Sequence, residues 1–435
     1  MNRIETQRRA ALAAAALLLA AAAVACSDAL SVERPGQITD GQVGGGGLTD
    51  ALVAGAEGEF HVAFNWVANS GAAASDEAIF THGWTPWEEY DRRTLTPASP
   101  AWDGIGYPWM QRARVTGVRN AQKLVEGKAS GVAVAHALNY AGFSTLLLAD
   151  YLCEVPLNGG PKLPRAQVYD SAIALFNQAL PLAGADAEMT NLANLGIARA
   201  YLNKNDLAHA IEYAKKVPAG FEAWVRFQDS NNFDDWVQKY NLFYRTSGFI
   251  SPSEFSLALD PAEWATKRDL RVPFNTDVQQ RMFTSNPYPR LGYIPFVPSS
   301  FKGWPVQDTI TGGADIRFAS GLEARYIIAE ASLYGGTGGW SGAQVLAFIN
   351  ERRAVGGFGP YAGADLKGEL REQRKMDLFF AGYRVPDLIR YKQFHGIDEW
   401  PKGKMGGYPA DAPYTYGSTE CWPVAQSEIN TNPNF

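Results

Sequence analysis

The stretch from Leu366 to Tyr391 reads LKGELREQRKMDLFFAGYRVPDLIRY, and its pattern decides much of the fold. At about 100° per residue, its large apolar side chains share one half of a helical wheel: Leu366, Leu370, Met376, Phe379, Phe380 and Tyr383. Glu369 and Asp377 fall on the same half, where a carboxylate must be paired or lose its charge. The pattern therefore predicts a core-facing helix that carries ion pairs into the interior.

Four arginines of the same stretch are the nearest partners for these carboxylates along the chain: Arg371, Arg374, Arg384 and Arg390. Two interpretations are open, a structural network of ion pairs and a catalytic site, and the first is favoured. Gly382 is suited to end the helix and Pro386 to begin a second one, so we expect a helix, an elbow and a helix. Four residues are predicted to have structural roles: Glu369, Arg374, Asp377 and Arg384.

The N-terminus has the features of a secretory signal, predicted to span residues 1–25. Basic residues precede sixteen consecutive Ala, Leu or Val residues, Ala10 to Ala25, a run that is short for a membrane-spanning helix. The sequence Ala-Val-Ala-Cys that ends at Cys26 resembles a bacterial lipobox, so Cys26 is the predicted site of lipid attachment. Residues 26–50 include four consecutive glycines and are predicted to form a flexible tether.

Composition indicates a folded body rather than a disordered chain, since 46% of the 435 residues are hydrophobic and 19% are charged. Cleavage before Cys26 removes three of the 39 basic residues and one of the 45 acidic residues, so the mature chain is more acidic than the full chain with its formal charge of −6. This balance does not attract a polyanion, and nucleic acid is not an expected partner. Two further cysteines, Cys153 and Cys421, form either a disulfide or two buried free thiols.

Apolar residues recur at helical intervals in eight further segments: 51–67, 112–126, 129–153, 165–182, 190–203, 207–216, 321–333 and 341–353. Ala172, Phe176 and Ala179 have the spacing of the second helix of a tetratricopeptide repeat. The sequence therefore predicts helical repeat pairs at about 112–217 and 321–392.

Other parts of the chain lack this periodicity. Residues 218–319 mix aromatics with Asn, Pro and Ser, which predicts a loop-rich insert with short strands. Residues 79–109 are predicted to form a long ordered loop, residues 68–77 a polar connection, and the last ten residues an extended polar tail.

The motifs of common catalytic sites are not found in the sequence. The five histidines are scattered without the spacing of a zinc site, and neither a GxSxG motif nor a phosphate-binding loop occurs. The paired carboxylates of a glycoside hydrolase stay open, because they come from distant residues. The adjacent pairs Asp234-Asp235 and Glu88-Glu89 are predicted to be solvated surface charges. The sequence favours binding over catalysis, with no cofactor and no metal.

Four stretches together resemble the SusD/RagB family of outer-membrane nutrient-binding lipoproteins. They are the lipid-anchoring start; LEARYIIAEA at 322–331 with FINERRA at 348–354; the stretch quoted first; and WPVAQSEINTNPNF at 422–435, which is similar to the family's ending PIPxxEINxNPN. The resemblance implies a mainly α fold for residues 51–435, with a tetratricopeptide-like scaffold of helical pairs, a loop-rich ligand-binding side and few short strands.

The same resemblance implies a function. A lipid-anchored protein of this family faces the cell exterior at the outer membrane, captures oligosaccharides and delivers them to a SusC-like TonB-dependent transporter. An alternative of a different class is a surface repeat protein that binds peptides or serves protein assembly.

Sugars present apolar C–H faces and many hydroxyls, so a binding site needs aromatic rings with polar side chains at their rims. The aromatic-rich regions 79–109 and 283–304 offer such residues, and the family's ligand contacts come from comparable loops. The predicted ligand-binding residues are Trp84, Trp87, Tyr90, Arg92, Tyr288, Tyr293 and Trp304. For each of them, packing beneath its own loop is the alternative role.

Overall fold

Helices form most of the protein, and most of them follow the apolar periodicity of the sequence. The structure, a computed structural model, describes residues 48–80, 85–227, 250–252, 269–272, 301–302, 315–405 and 414–435. These residues fall within one compact unit, Gly46–Phe435. The α-helices in this part of the chain are α1 (Thr49–Ala74), α2 (Thr85–Asp91), α3 (Tyr107–Glu126), α4 (Gly131–Tyr151), α5 (Arg165–Ala179), α6 (Ala187–Asn203), α7 (Leu207–Ala214), α8 (Gly321–Leu333), α9 (Gly342–Val355), α10 (Leu366–Asp377), α11 (Arg384–His395) and α12 (Gln426–Thr431).

The strands are short and form small antiparallel sheets. Those in the described residues are β1 (Ala78–Phe80), β2 (Glu154–Pro156), β3 (Lys162–Pro164), β4 (Glu222–Val225), β5 (Ile250–Pro252), β6 (Phe301–Lys302) and β7 (Asp315–Ser320). Strand β1 pairs with β5, β2 with β3, and β7 lies between β4 and β6. The prediction of a mainly α fold with few short strands is confirmed.

Helix α4 lies at the centre of the helical scaffold, where it contacts α1, α3, α5 and α6. Ser130 caps its N-terminus by accepting a hydrogen bond from the Ala133 N–H. The helix is long and apolar enough to cross a membrane, but 83% of its most apolar 18-residue stretch is buried inside the protein. A Cβ atom at Gly117 of α3 would lie 2.9 Å from Ala141 of α4, so this glycine allows the two helices to pack closely. The apolarity of α4 therefore reflects a core position.

Consecutive helices of this scaffold pack against one another, and the predicted repeat pairs stay a prediction. Helix α5 packs between α4 and α6, α6 contacts α7, and α7 contacts α8. Ala172, Phe176 and Ala179, the residues with repeat spacing, are all fully buried. The spacing thus identified side chains that pack between consecutive helices.

Three segments that the sequence predicts to be non-helical differ from that prediction: 68–77, 79–109 and the last ten residues. The polar connection at 68–77 is mostly helical, since α1 continues to Ala74. Asn69 donates to the Asn65 carbonyl (2.8 Å) and Ser70 to the Trp66 carbonyl (2.6 Å), so these polar side chains are satisfied by the helix itself.

The region 79–109 and the tail also differ from their predicted conformations. Strand β1, helix α2, a π-helical turn at Trp102–Gly106 and the start of α3 occupy most of the predicted loop. In the tail, residues 426–431 form α12. In its first turn the Ser427 N–H, which has no acceptor within the helix, donates to Asp103 Oδ1 (2.8 Å). That acceptor lies far away in sequence, so the local pattern did not reveal the helix.

The helix, elbow and helix predicted for 366–391 are confirmed. Helix α10 ends at Asp377 and α11 begins at Arg384. Between them Phe380 and Gly382 have positive φ values of 62° and 78°, a conformation that glycine adopts without strain. Pro386 is the third residue of α11 rather than its first.

The carboxylates of this stretch are paired, but their partners differ from those predicted. Asp377, which is 1% exposed, accepts hydrogen bonds from Arg352 (2.7 and 2.8 Å) and Tyr326 (2.5 Å), and Arg271 Nη1 lies 3.3 Å away. Glu369 pairs with Arg353 of α9 at 2.5 Å. The predicted pairing within the stretch is wrong for these two, because each carboxylate meets the helices that pack against its face.

The four arginines of the stretch pair with carboxylates other than Glu369 and Asp377, each with an oxygen between 2.5 and 2.8 Å away: Arg371 with Glu399, Arg374 with Asp387 of the same stretch, Arg384 with Asp76, and Arg390 with Glu330. Burial acts to raise the pKa of Asp76, but Arg384 and Lys375 hold it below its ordinary value. These contacts join α10 and α11 to α1, α8 and α9, and we call them the ion-pair network.

Cys153 and Cys421 are joined by a disulfide, with their Cα atoms 5.0 Å apart. The bond links the residues after α4 to the C-terminal segment, where the Trp422 N–H also donates to the Tyr151 carbonyl at 2.7 Å. Of the two states left open by the sequence, the structure has the disulfide. The lipid-attachment residue Cys26 and most of the predicted tether lie outside the described residues, and the predicted domain limits stay predictions.

Glu77, between α1 and β1, departs from the pairing rule. It is fully enclosed; Oε1 accepts a bond from the Phe380 N–H at 3.1 Å, and Oε2 has no hydrogen-bond partner among the described residues. Burial and then the charge of Asp76 raise the pKa of Glu77 to about 8. The side chain is therefore a neutral acid at pH 7.

We expect Asp377→Ala to lower the free energy of unfolding by about 3 to 5 kcal/mol, because Arg352 and Arg271 would lose a buried counter-ion. Urea unfolding measures the loss. Glu351→Ala is a matched control, since this partly exposed carboxylate of α9 pairs with Arg325 at 2.5 Å and should contribute at most about 1 kcal/mol. Equal effects of the two substitutions would contradict the structural role of Asp377.

Glu77 should make stability depend on pH. The folded protein binds the extra proton between the ordinary pKa of 4.5 and the raised value of about 8, so this contribution is full below pH 4.5 and is lost as the pH rises through 8. The slope in this window is roughly −1.4 kcal/mol per pH unit from this group. Glu77→Gln keeps an acceptor for Phe380 and cannot ionise. Its stability relative to the wild type should rise from pH 5 to pH 8, and parallel pH profiles would contradict the assignment.

Candidate functional site

The predicted ligand-binding residues are only partly within reach of the structure. Trp84, Tyr288, Tyr293 and Trp304 lie outside the described residues. Trp87 belongs to α2, and its backbone alone is described. Tyr90 and Arg92 are described in full, and they differ sharply.

Tyr90 is 1% exposed and packs inside the protein. Its ring centre lies 6.1 Å from that of Trp66 in α1 and 5.2 Å from that of Trp422, both in edge-on arrangements. Burial raises the pKa of Tyr90. A ring enclosed in this way offers no face to a sugar, so its position favours the packing role that the sequence left as the alternative.

Arg92 lies just after the C-terminal end of α2 and is partly exposed. Its Nη2 atom is 2.6 Å from Glu88 Oε2, and its guanidinium carbon lies 3.8 Å from the centre of the Tyr414 ring. A guanidinium over an aromatic face is attracted to the ring and so held in place, and its N–H groups stay free to donate outward in the guanidinium plane. Arg92 thus has the surroundings of a binding residue.

Tyr414 and Tyr416 complete this region, and the sequence analysis did not select them. Both are partly buried and pack around Met405. The Tyr416 N–H donates to the Gly403 carbonyl at 2.9 Å, and the Gly417 N–H donates to the Arg92 carbonyl at 2.7 Å. We call Arg92, Met405, Tyr414 and Tyr416 the Arg92 corner. A Tyr-Thr-Tyr sequence among Pro and Gly residues was the available signal.

Arg93 supports the corner from beneath. It is buried, its φ is 56°, and it donates to the carbonyls of Thr419 (3.0 Å) and Pro401 (2.5 Å) while lying over the Trp400 ring at 4.6 Å. Burial lowers the pKa of Arg93, and Glu420 acts in the opposite direction. Since one side chain holds three segments, the corner is a built part of the fold.

The corner combines the chemistry that a sugar requires. Partly exposed tyrosine rings offer apolar faces, and Arg92, which the buried Glu88 holds in place, offers hydrogen-bond donors for hydroxyls. Three buried polar atoms nearby have no hydrogen-bond partner among the described residues: Arg92 Nε, Trp400 Nε1 and Glu89 Oε2. The arrangement suits neutral, hydroxyl-rich ligands.

Metal and acid–base sites are less well supported. Within the described ranges, no group of three His, Cys, Asp or Glu side chains is placed to hold a metal ion. The prediction that Glu88 is solvated is wrong, because it is buried and pairs with Arg92. Asp234 and Asp235 lie outside the described residues.

Solved structures share this arrangement of helices. A SusD-like carbohydrate binding protein from Bacteroides vulgatus superposes with a TM-score of 0.64 at 14% identity, covering 89% of this chain and 97% of its own. A SusD superfamily protein from Parabacteroides distasonis gives a TM-score of 0.65 at 13% identity, with coverage of 92% and 98%. The chain has the SusD-like fold. A SusD superfamily protein from Bacteroides thetaiotaomicron gives a TM-score of 0.63 at 15% identity, covering 89% of this chain and 98% of its own.

Sequence comparison alone does not reach this result. No protein-family model matches the chain, and no curated protein matches it. The SusD-like fold does place the stretches that carry the sequence resemblance: 322–331 lies in α8, 348–354 in α9, 366–391 in α10 and α11, and the tail contains α12. All but the tail contribute residues to the ion-pair network. The residues that carry the resemblance are therefore largely those that hold the fold.

Proposed function

We propose that the protein belongs to the SusD/RagB family and binds oligosaccharides at the cell surface. The observation that carries the proposal is the SusD-like fold, which covers 97% of a solved SusD-like carbohydrate binding protein. The motif resemblance in four separate stretches supports the same family. We propose a binding role without catalysis, and the corner supports binding because it brings together a stacking surface and hydrogen-bonding groups.

The proposed ligand site includes the Arg92 corner, and the aromatic residues predicted from the sequence are proposed to contribute to it. Trp87 lies on α2, the short helix that leads to Arg92, and Trp84 directly precedes that helix. Tyr288, Tyr293 and Trp304 of the second aromatic region are proposed as further ligand-binding residues. Aromatic rings take the apolar faces of the sugar, and Arg92 donates hydrogen bonds to its hydroxyls.

Attachment to the outer membrane is proposed through a lipid on Cys26, with residues 26–50 as the tether. The disulfide between Cys153 and Cys421 supports an exported location, because such bonds persist in oxidising compartments. The proposed partner is a SusC-like TonB-dependent transporter that receives the captured oligosaccharide. Nucleic acid is not a proposed partner.

Substitutions in the proposed ligand site should weaken oligosaccharide binding while leaving the fold intact. We expect Tyr414→Ala and Trp87→Ala each to raise the Kd about tenfold, because each removes a stacking ring. Isothermal titration calorimetry with an oligosaccharide selected on a glycan array measures the effect. Tyr201→Ala is the matched control. This partly exposed tyrosine of α6 stacks on His209 of α7, with ring centres 4.9 Å apart, and its replacement should leave the Kd unchanged.

Two outcomes would contradict the site. One is unchanged binding when Trp84, Trp87 and Trp304 are replaced by Ala together. The other is an equal loss of binding in the Tyr201→Ala control.

The anchor and the transporter are tested together in the bacterial membrane. We expect the tagged wild-type protein to copurify a β-barrel transporter from detergent-solubilised outer membrane, and Cys26→Ser to move the protein into the soluble fraction. Mass spectrometry identifies the copurified chain and the lipid on Cys26. A folded, lipidated protein that copurifies no barrel would count against the transporter.

A further inference from the structure

One buried arginine stands apart from all the others in the described residues. Seven arginines are buried there: Arg93, Arg114, Arg199, Arg271, Arg374, Arg384 and Arg390. Six of them have a carboxylate oxygen within 3.9 Å. Arg114 is only 5% exposed, yet no carboxylate of the described residues pairs with it. Its positive charge is therefore buried without a counter-ion among the residues that the structure describes.

The local contacts of Arg114 confirm that its charge is not neutralised indirectly. Arg114 lies on α3 and makes one side-chain hydrogen bond in this part of the protein, from Nη2 to Asn158 Oδ1 at 2.5 Å. Its Nε atom is buried and has no hydrogen-bond partner among the described residues. Gln111, one turn earlier, donates to the Tyr107 hydroxyl and the Pro156 carbonyl, both at 3.1 Å. The neighbouring amide thus serves other groups.

Asn158 presents the guanidinium to the surface. It is exposed, lies in the turn between β2 and β3, and has a φ of 56°. The C-terminal tail fastens this turn, since Asn432 Nδ2 donates to the Gly160 carbonyl at 3.0 Å and Asn434 Nδ2 to the Gly159 carbonyl at 2.6 Å. Asn158 is therefore a surface side chain on a secured turn, with its neutral amide oxygen on a buried cation.

An unpaired buried cation costs folding free energy that a neutral side chain of similar length would avoid. A charged oxygen is a stronger acceptor for a guanidinium than an amide oxygen, and its two-pronged geometry matches the arginine fork. An incoming oxyanion can therefore displace the exposed Asn158 amide oxygen and supply the missing charge.

We propose that Arg114 and Asn158 form a binding site for an oxyanion, specifically the carboxylate or sulfate group of an acidic saccharide. The oxyanion part stands on the contacts of Arg114 alone, and the saccharide part rests on the proposed function. The protein then holds acidic sugars through Arg114 in addition to the stacking contacts of the Arg92 corner.

The test uses the full mature protein and two arginines of the same helix. Arg114→Gln removes the buried charge, and Arg112→Gln is the matched control, since Arg112 is 46% exposed and pairs with Glu59 at 2.6 Å. Inorganic sulfate replaces chloride at constant ionic strength, and the melting temperature is recorded. Sulfate should raise the melting temperature of the wild type and of Arg112→Gln but not that of Arg114→Gln. An equal rise in all three proteins, or in none, overturns the site.

Calorimetry then separates this site from the proposed function. Arg114→Gln should raise the Kd of a uronic acid oligosaccharide about tenfold or more and leave that of its neutral counterpart unchanged. Equal Kd values for the acidic ligand in the wild type and in Arg114→Gln overturn the saccharide assignment. If no saccharide binds while the sulfate response still depends on Arg114, the oxyanion site stands and the proposed function fails.

A second measurement does not depend on the folding of Arg114→Gln. The Nε–H resonance of Arg114 in the wild type, assigned by its absence in Arg114→Lys, should shift on titration with sulfate, and that of Arg112 should not. A static Arg114 resonance overturns the proposal.

Discussion

The fold depends on a single electrostatic constraint, which is that charges enclosed by this protein must meet opposite charges across helix boundaries. Removing an ion from water costs several kcal/mol, and only close, hydrogen-bonded pairs offset that cost. Arg199 of α6 bonds to Glu323 of α8, Arg390 of α11 to Glu330 of α8, and Arg384 to Asp76 at the end of α1. Each pair fixes the orientation of two helices. The helical scaffold is consequently held in one arrangement from which the connecting segments project.

Tyr90 and Arg92 lie close together in the sequence but have different roles. Helix α2 packs against α1, so Tyr90 is drawn into the core against Trp66, whereas Arg92 lies beyond the helix end and reaches Tyr414. Two residues along the chain therefore separate a packing side chain from a candidate binding one. The Arg92 corner is positioned by Arg93, whose bonds to Pro401 and Thr419 bring distant segments together.

Local periodicity predicted the helices well, and long-range pairing set the limit of prediction. The segment 321–333 was placed at the observed bounds of α8, because its apolar residues and its Ser320 cap are local features. The partners of Asp377 could not be predicted, since Arg271 and Arg352 come from other elements. Tyr414 was missed for the same reason, because its contact with Arg92 exists only when segments more than 300 residues apart are brought together. The polar residues at the end of α1 led to the wrong prediction of a connection. Their side chains form hydrogen bonds to carbonyls of the helix itself, so they are compatible with a helix.

Two buried groups escape the pairing rule, and their chemistry gives them different meanings. Glu77 takes up a proton when its surroundings cannot stabilise a charge, so its burial is resolved inside the protein and costs stability only at high pH. An arginine cannot lose its charge in this way, because the guanidinium stays protonated in proteins. Although burial lowers the pKa of Arg114, the side chain keeps its charge at neutral pH. No carboxylate of the described residues pairs with Arg114, so within this part of the chain its charge is balanced only by the amide oxygen of Asn158.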